Sequence, residues 1–193
     1  KRQLLDIGAG TGDFLATAQK AGYTVTGVEP NAKARALAHQ KGVELLSELS
    51  ELNEKQFQVI TLWHVLEHLP NLEEQINAII SLLNEDGTLI IAVPNFKSFD
   101  AKYYGSHWAG YDVPRHLWHF SKTAITKLYE KHEMEVVSIR PMWFDAFYVS
   151  MLSEKYKGNK LYLFGAFFVG LWSNLKAMFT KEHSSLIYIL ERK

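Results

Sequence analysis

The chain has 193 residues, a length that fits one domain, and its 47% hydrophobic and 22% charged content excludes disordered and fibrous classes. Lys+Arg and Asp+Glu balance at 21 each, so no basic excess exists to grip phosphates and no nucleic-acid partner is expected. With no cysteine there is no disulfide framework, thiolate metal site or cysteine nucleophile, which suits a reducing cytoplasm.

Residues 1–7 (KRQLLDI) run straight into a strand with no apolar leader ahead of them, so a missing N-terminal part is the expectation. The pattern predicts a strand over 4–7, a glycine-rich turn, and a helix over 11–21 stopped by Gly22. A strand over 23–28 follows, then a helix capped by Asn31 and stopped at Gly42, then strands over 43–46 and 57–63. Asn71 and Glu74 have the spacing of a capping box, and Leu72, Ile76, Ile79, Ile80 and Leu83 make the apolar stripe of the helix behind it. The unbroken apolar strand over 88–93 is the kind that helices cover on both faces. A helix from Ser121 to His132 and strands over 135–140 and 186–190 complete the series. Strand and helix alternating in this way predict a single α/β domain over 1–193 with a doubly wound sheet. Two segments break the rhythm, 95–120 and 149–183.

The most informative stretch is Leu4-Leu5-Asp6-Ile7-Gly8-Ala9-Gly10-Thr11-Gly12-Asp13-Phe14. Glycines at a strand-to-helix turn let a ligand approach the main chain, and the following helix offers its free N–H groups to an anion. The third glycine comes two residues after the second. A nicotinamide dinucleotide fingerprint would put it at position 13, which is Asp, and this counts against an oxidoreductase. Glu29 follows the second strand, 21 residues after Gly8, where a carboxylate can accept from both hydroxyls of a ribose.

Four segments, LLDIGAGTGDFL (4–15), GVEP (27–30), FQVITLWHVLEHLPN (57–71) and LNEDGTLIIAVPN (83–95), follow one another in an order and spacing that resemble the class I S-adenosylmethionine-dependent methyltransferases. Within that class the chain is similar to the type-11/type-23 group, relatives of the ubiquinone-pathway O-methyltransferases. The resemblance spans residues 1–140. It implies a Rossmann-like sheet of seven strands in the order 3-2-1-4-5-7-6 with the last strand antiparallel. It also implies S-adenosylmethionine as cofactor and S-adenosylhomocysteine as product. Asp6, Gly8 and Gly10 would line the methionine end, Glu29 would hold the ribose, Ser47 and Glu48 would border the adenine, and Trp63 and His64 would floor the methyl donor. The implied cofactor set is completed by Ala9, Gly12, Phe14 and Pro30.

His64-Val65-Leu66-Glu67-His68 matches H-x-x-E-H, an inverted zinc-protease spacing that needs both histidines on one face of a helix. Pro70 leaves almost no room for that helix, so no metal is expected. Residues 95–120 hold 8 of the chain's 25 aromatics, with His107, His116 and His119 among them. A connection this long after a central strand reads either as a small core closing the sheet edge or as a substrate wall and lid, with His116 or His119 as the general base. Leu161 to Phe179 is apolar except for Ser173, Asn174 and Lys176, and lysines flank it. It reads as a helix pair over the pocket, a dimer interface, or a helix lying on an anionic membrane, the oligomeric state being left open. The expectation is a metal-free methyltransferase, cytoplasmic or peripheral to a membrane, acting on an oxygen of a small apolar acceptor. A nicotinamide-dependent oxidoreductase and a catalytically silent cofactor-binding module are the alternatives.

Overall fold

The molecule is described here by a computed structural model covering residues 2–52 and 55–193. Seven strands form one sheet: β1 (Gln3–Ile7), β2 (Thr24–Val28), β3 (Leu45–Leu46), β4 (Phe57–Trp63), β5 (Leu83–Pro94), β6 (Met134–Pro141) and β7 (Ser185–Arg192). Their order is β3-β2-β1-β4-β5-β7-β6. The first five pair in parallel, and β7 runs antiparallel to both β5 and β6. The order and the antiparallel last strand are those the resemblance implied.

Helices α1 (Asp13–Lys20), α2 (Ala32–Gln40), α3 (Leu72–Ser81) and α5 (Lys122–Glu130) cover the sheet. One core joins Leu15 and Ala18 of α1 and Ala38 of α2 to Leu4 and Val43. On the other face Ile76 and Ile79 of α3 and Ile125 and Tyr129 of α5 meet Leu5, Ile60, Leu89 and Tyr188 of the sheet. The central strands are apolar toward both faces because both are buried.

Four local expectations shift. Helix α1 starts at Asp13, since Gly12 holds a left-handed φ of 75° that no helix accommodates. Strand β3 shrinks to two residues, and Val43 packs into the core beside α1 and α2 instead of extending the sheet. Asn71 is left-handed (φ 49°) and makes no side-chain cap bond, so the capping box with Glu74 does not form. Leu83 belongs to β5, where it pairs with Phe57, rather than to the helical stripe.

The two rhythm-breaking segments fold together. After β5 the chain makes α4 (Phe99–Tyr104) and two short 3-10 turns; between β6 and β7 it makes the antiparallel pair α6 (Asp145–Tyr156) and α7 (Tyr162–Thr180). Tyr104, Trp108 and Ala109 pack with Val149 into a third small core. Asp100, fully buried, ties it: Trp108 Nε1 (2.8 Å) and Ser184 Oγ (2.7 Å) donate to Oδ2, and Ser173 Oγ (2.6 Å) donates to Oδ1. Ser173 and Asn174, two of the three polar interruptions of α7, thus face the protein, Asn174 Nδ2 also donating to the Trp143 carbonyl at 2.8 Å, while Lys176 is exposed. Its aromatics face out: Phe164, Phe167, Phe168, Trp172 and Phe179 are all more than half exposed.

Candidate active site

Parallel strands β1, β2 and β4 end on one edge, and the turn after β1 opens there, as ligand sites in α/β sheets do. Gly8 and Gly10 hold φ values of 72° and 53°, which non-glycine residues rarely adopt. The Gly8 and Ala9 amides donate to the Val28 carbonyl (2.8 and 3.0 Å), Gly10 N donates to Glu29 Oε2 (2.9 Å), and Gly12 N donates to the Ala9 carbonyl (3.0 Å). These four amides are therefore satisfied within the fold, unlike the fully open anion cradle that glycine spacing alone suggests. A Cβ on Gly10 would meet nothing within 4 Å, whereas one on Gly8 would strike Val65 Cγ2 at 2.4 Å and one on Gly12 would strike Ala38 Cβ at 2.9 Å. Gly10 borders open space. Gly12 is glycine because α2 comes close.

A cavity of about 380 Å³ opens from this turn, lined by Gly8, Pro30, Ser47, Glu48 and Val65 among others. Glu29 stands at its rim, Oε1 accepting from Asn31 N at 2.8 Å while Oε2 takes Gly10 N. Glu51 holds the far wall by accepting from the Ser47 and Glu48 amides, 2.8 and 3.0 Å away. Asp6 is 2% exposed and accepts from Thr61 Oγ1 at 2.6 Å. Burial, with Glu29 nearby adding to it, raises its pKa to about 7 against the lowering effect of Thr61. Trp63 stacks edge-on to Phe14 (5.3 Å), and its buried Nε1 has no hydrogen-bond partner among the described residues. A cradle open at Gly10, a rim carboxylate and an orphan indole donor fit a ligand carrying hydroxyl and carboxylate groups.

On the other side of His64 lies a second cavity, about 330 Å³, lined by His68, Pro94, Asp112, His116, Asp145 and Tyr148 among others. His64 has a φ of 55°, and its ring bridges two carboxylates: Nδ1 to Glu67 Oε1 (3.2 Å) and Nε2 to Asp145 Oδ2 (3.1 Å). Burial alone would lower its pKa, but Asp145 and Glu67 together raise it to about 9. Burial likewise works to raise Asp145, and His64 more than offsets it, holding that carboxyl below its ordinary value. At neutral pH His64 is a fixed cation in the wall and no base.

Of the two histidines expected as base, only His116 faces this cavity. Its Nδ1 sits 2.8 Å from the Gly110 carbonyl, and burial lowers its pKa. His119 is exposed, held by the Tyr111 carbonyl at 3.0 Å, and lines a separate groove between α3 and α5. The H-x-x-E-H segment forms one 3-10 turn over Leu66–His68, and its histidines part: His64 turns to Asp145 and His68 to the Arg115 carbonyl (3.0 Å). Reading the sequence missed Asp145 and Glu51. The i,i+3 spacing of His64 and Glu67 was a visible signal, while Asp145 stood in no motif.

A family model described as "Methyltransferase domain" matches residues 1–139. The chain is 25% identical over 150 residues to the C-methyltransferase NovU of Streptomyces niveus, covering 70% of this chain and 33% of that protein. It is 32% identical over 104 residues to a ubiquinone biosynthesis O-methyltransferase of Aeromonas salmonicida, covering 49% of this chain and 44% of that one. The chain thus spans less than half the length of these curated relatives. Among solved structures, a Thermotoga maritima protein described as a methyltransferase, possibly acting on histamine, superposes with a TM-score of 0.68 at 17% identity, covering 100% of this chain and 83% of that one. The magnesium protoporphyrin IX methyltransferase of Synechocystis, solved with S-adenosylhomocysteine, gives 0.65 at 15% identity, covering 100% and 74%. These two likenesses establish the fold.

Proposed function

Because the chain belongs to the methyltransferase-domain family, we propose that it moves the methyl group of S-adenosylmethionine to an oxygen of a small apolar acceptor. The observation that carries this reading is the pair of cavities meeting at residues 64 and 65: Val65 lines one and His64 the other. When bound, the cofactor supplies a methyl group already activated on a sulfonium. The chain's own part is to align the two reactants and strip their water. Gly8, Gly10 and Asp6 receive the methionine end, Glu29 the ribose, and Ser47 and Glu48 the adenine side. Trp63 and His64 floor the methyl donor. An acceptor held in the second cavity would present its oxygen to the methyl that the cofactor supplies, with its hydroxyl proton turned toward His116 on that cavity's wall. Tyr148, Val149 and Leu152 of α6 make the other wall apolar.

The acceptor's source belongs to the same reading: α7 rests on an anionic lipid surface. Residues 155–181 hold five lysines and no acidic residue. On α7 the polar Ser173 and Asn174 are buried, whereas Phe164, Phe168 and Trp172 face outward, an arrangement suited to lying in a headgroup layer rather than to spanning it.

Calorimetry with S-adenosylhomocysteine tests the cofactor site. Gly10→Val puts a branched side chain into the open cradle at a left-handed φ, so binding should vanish while the fold survives. Unchanged affinity in a folded Gly10→Val protein would refute the assignment.

A further inference from the structure

Glu67, His68 and His116 each bring one donor atom to a common point, the three atoms lying within 4.8 Å of one another. Glu67 and His68 ride on the 3-10 turn after β4, and His116 on the segment after β5. The two pieces are locked in register by the Leu117 and Trp118 amides, which donate to the Glu67 carbonyl at 2.8 and 3.3 Å.

Both imidazoles are oriented from behind. His68 Nδ1 lies 3.0 Å from the Arg115 carbonyl and His116 Nδ1 lies 2.8 Å from the Gly110 carbonyl. A carbonyl only accepts, so each Nδ1 carries the proton and each Nε2 is left with a lone pair. Metal-bound histidines are held in this manner. The carboxylate is the second, independent sign. Glu67 is 1% exposed, and its Oε2 is buried with no hydrogen-bond partner among the described residues. A buried carboxylate oxygen without a donor, grouped with two imidazoles, gains a partner when one cation is held by all three. Asp112 Oδ2, 3.8 Å from His116 Nε2, stands close enough to add a further oxygen.

We infer that Glu67, His68 and His116 bind one divalent cation on the floor of the acceptor cavity. Two imidazoles and one carboxylate suit zinc, cobalt, manganese or iron better than magnesium or calcium. His68 and His116 both line the cavity, so the open coordination positions face whatever occupies it. An acceptor hydroxyl on the cation would lose its proton more easily. That role rests on the reading of the cavity as the acceptor's; the binding does not. The absence of metal expected from the H-x-x-E-H segment rested on His64 and His68, whereas the histidine that meets Glu67 and His68 comes from the following loop.

The test uses Co²⁺, then Zn²⁺, added to the chelator-treated, dialysed chain without cofactor or acceptor, read by calorimetry and by the visible absorption of cobalt. One equivalent should bind. Glu67→Gln and His68→Ala should each weaken binding about 10- to 100-fold, the scale on which such sites respond. His119→Ala, outside the trio, should leave it unchanged. His68 is exposed, so its alanine variant keeps the fold even where the buried Glu67→Gln does not. Failure to bind either ion stoichiometrically, or binding that survives His68→Ala within threefold, overturns the site. S-adenosylhomocysteine titrated into the same samples separates the two readings: cobalt bound without cofactor binding sinks the methyltransferase proposal and leaves the cation site standing.

Discussion

Asp100 allows a prediction whose size and sign come from donor chemistry. Its carboxylate accepts from three buried groups, the Trp108 indole and the Ser173 and Ser184 hydroxyls. Bonds to a charged acceptor are worth roughly 1.5–3 kcal/mol each, and removing one side of a buried charged network costs about 3–5 kcal/mol. Asp100→Ala strands an indole N–H that can only donate and opens a void, so a loss of about 4–5 kcal/mol is expected. Asp100→Asn is different. The amide oxygen must face Trp108, which puts the NH₂ toward Ser173, and that hydroxyl can turn round and accept. Every group keeps a partner and only the charge assistance goes, about 1–2 kcal/mol. At about 2–4 °C per kcal/mol for a chain of this size, melting followed by circular dichroism should fall by about 2–8 °C for the asparagine and 8–20 °C for the alanine variant. Equal losses in the two variants, or a greater loss for asparagine, would refute the reasoning. S-adenosylhomocysteine affinity should hold in both, since the glycine turn lies in another part of the sheet edge.

Glu29→Ala should weaken S-adenosylhomocysteine binding about 30-fold or more by calorimetry, for it removes charged acceptors from a ribose; a change below threefold would put the ribose elsewhere. Asp6, with its pKa raised from 3.8 to about 7, makes affinity pH-dependent: the ionised form attracts the ligand's ammonium, so binding should weaken as pH falls below about 7 and flatten in Asp6→Asn. The same shift means the folded state holds the proton more tightly, so stability should decline as pH rises from about 4 to 7, a decline that Asp6→Asn removes. The chain should sediment with phosphatidylserine vesicles at low salt, less with neutral ones, and Phe164→Ser with Phe168→Ser should abolish it; a dimer that hides α7 and ignores vesicles would contradict this.

What could be read from the sequence was whatever short-range chemistry dictates. Gly8 and Gly10 announce a turn because only glycine holds their backbone angles cheaply, and the three apolar residues of β1, Leu4, Leu5 and Ile7, announce a strand. Leu83 shows the limit: its spacing from Ile76 and Ile79 fits a helical stripe as well as a strand start, and only pairing with Phe57 decides. Asn71 has the composition of a cap, but the conformation it adopts after Pro70 denies it that bond. Asp145 and Asp100 were silent for a deeper reason. Their partners, His64 for one and Ser173 with Ser184 for the other, are distant in sequence and become neighbours only when the insert between β6 and β7 folds back.

That insert has its own evolutionary logic. Strands β6 and β7 are antiparallel neighbours, and Pro141 pairs with Leu186, so residues 142–184 leave the sheet and rejoin it at one point. The entropy of closing such a loop grows only with the logarithm of its length, so a change of length costs the sheet little as long as the new insert again supplies donors to Asp100 and a carboxylate to His64. Strands β1, β2 and β4, which carry the glycine turn and Glu29, are untouched by any such exchange. A lineage can therefore keep one donor-binding half and try new acceptor walls as a cassette, and a chimera that swaps 142–184 between two members of the family should keep cofactor affinity while changing what it methylates.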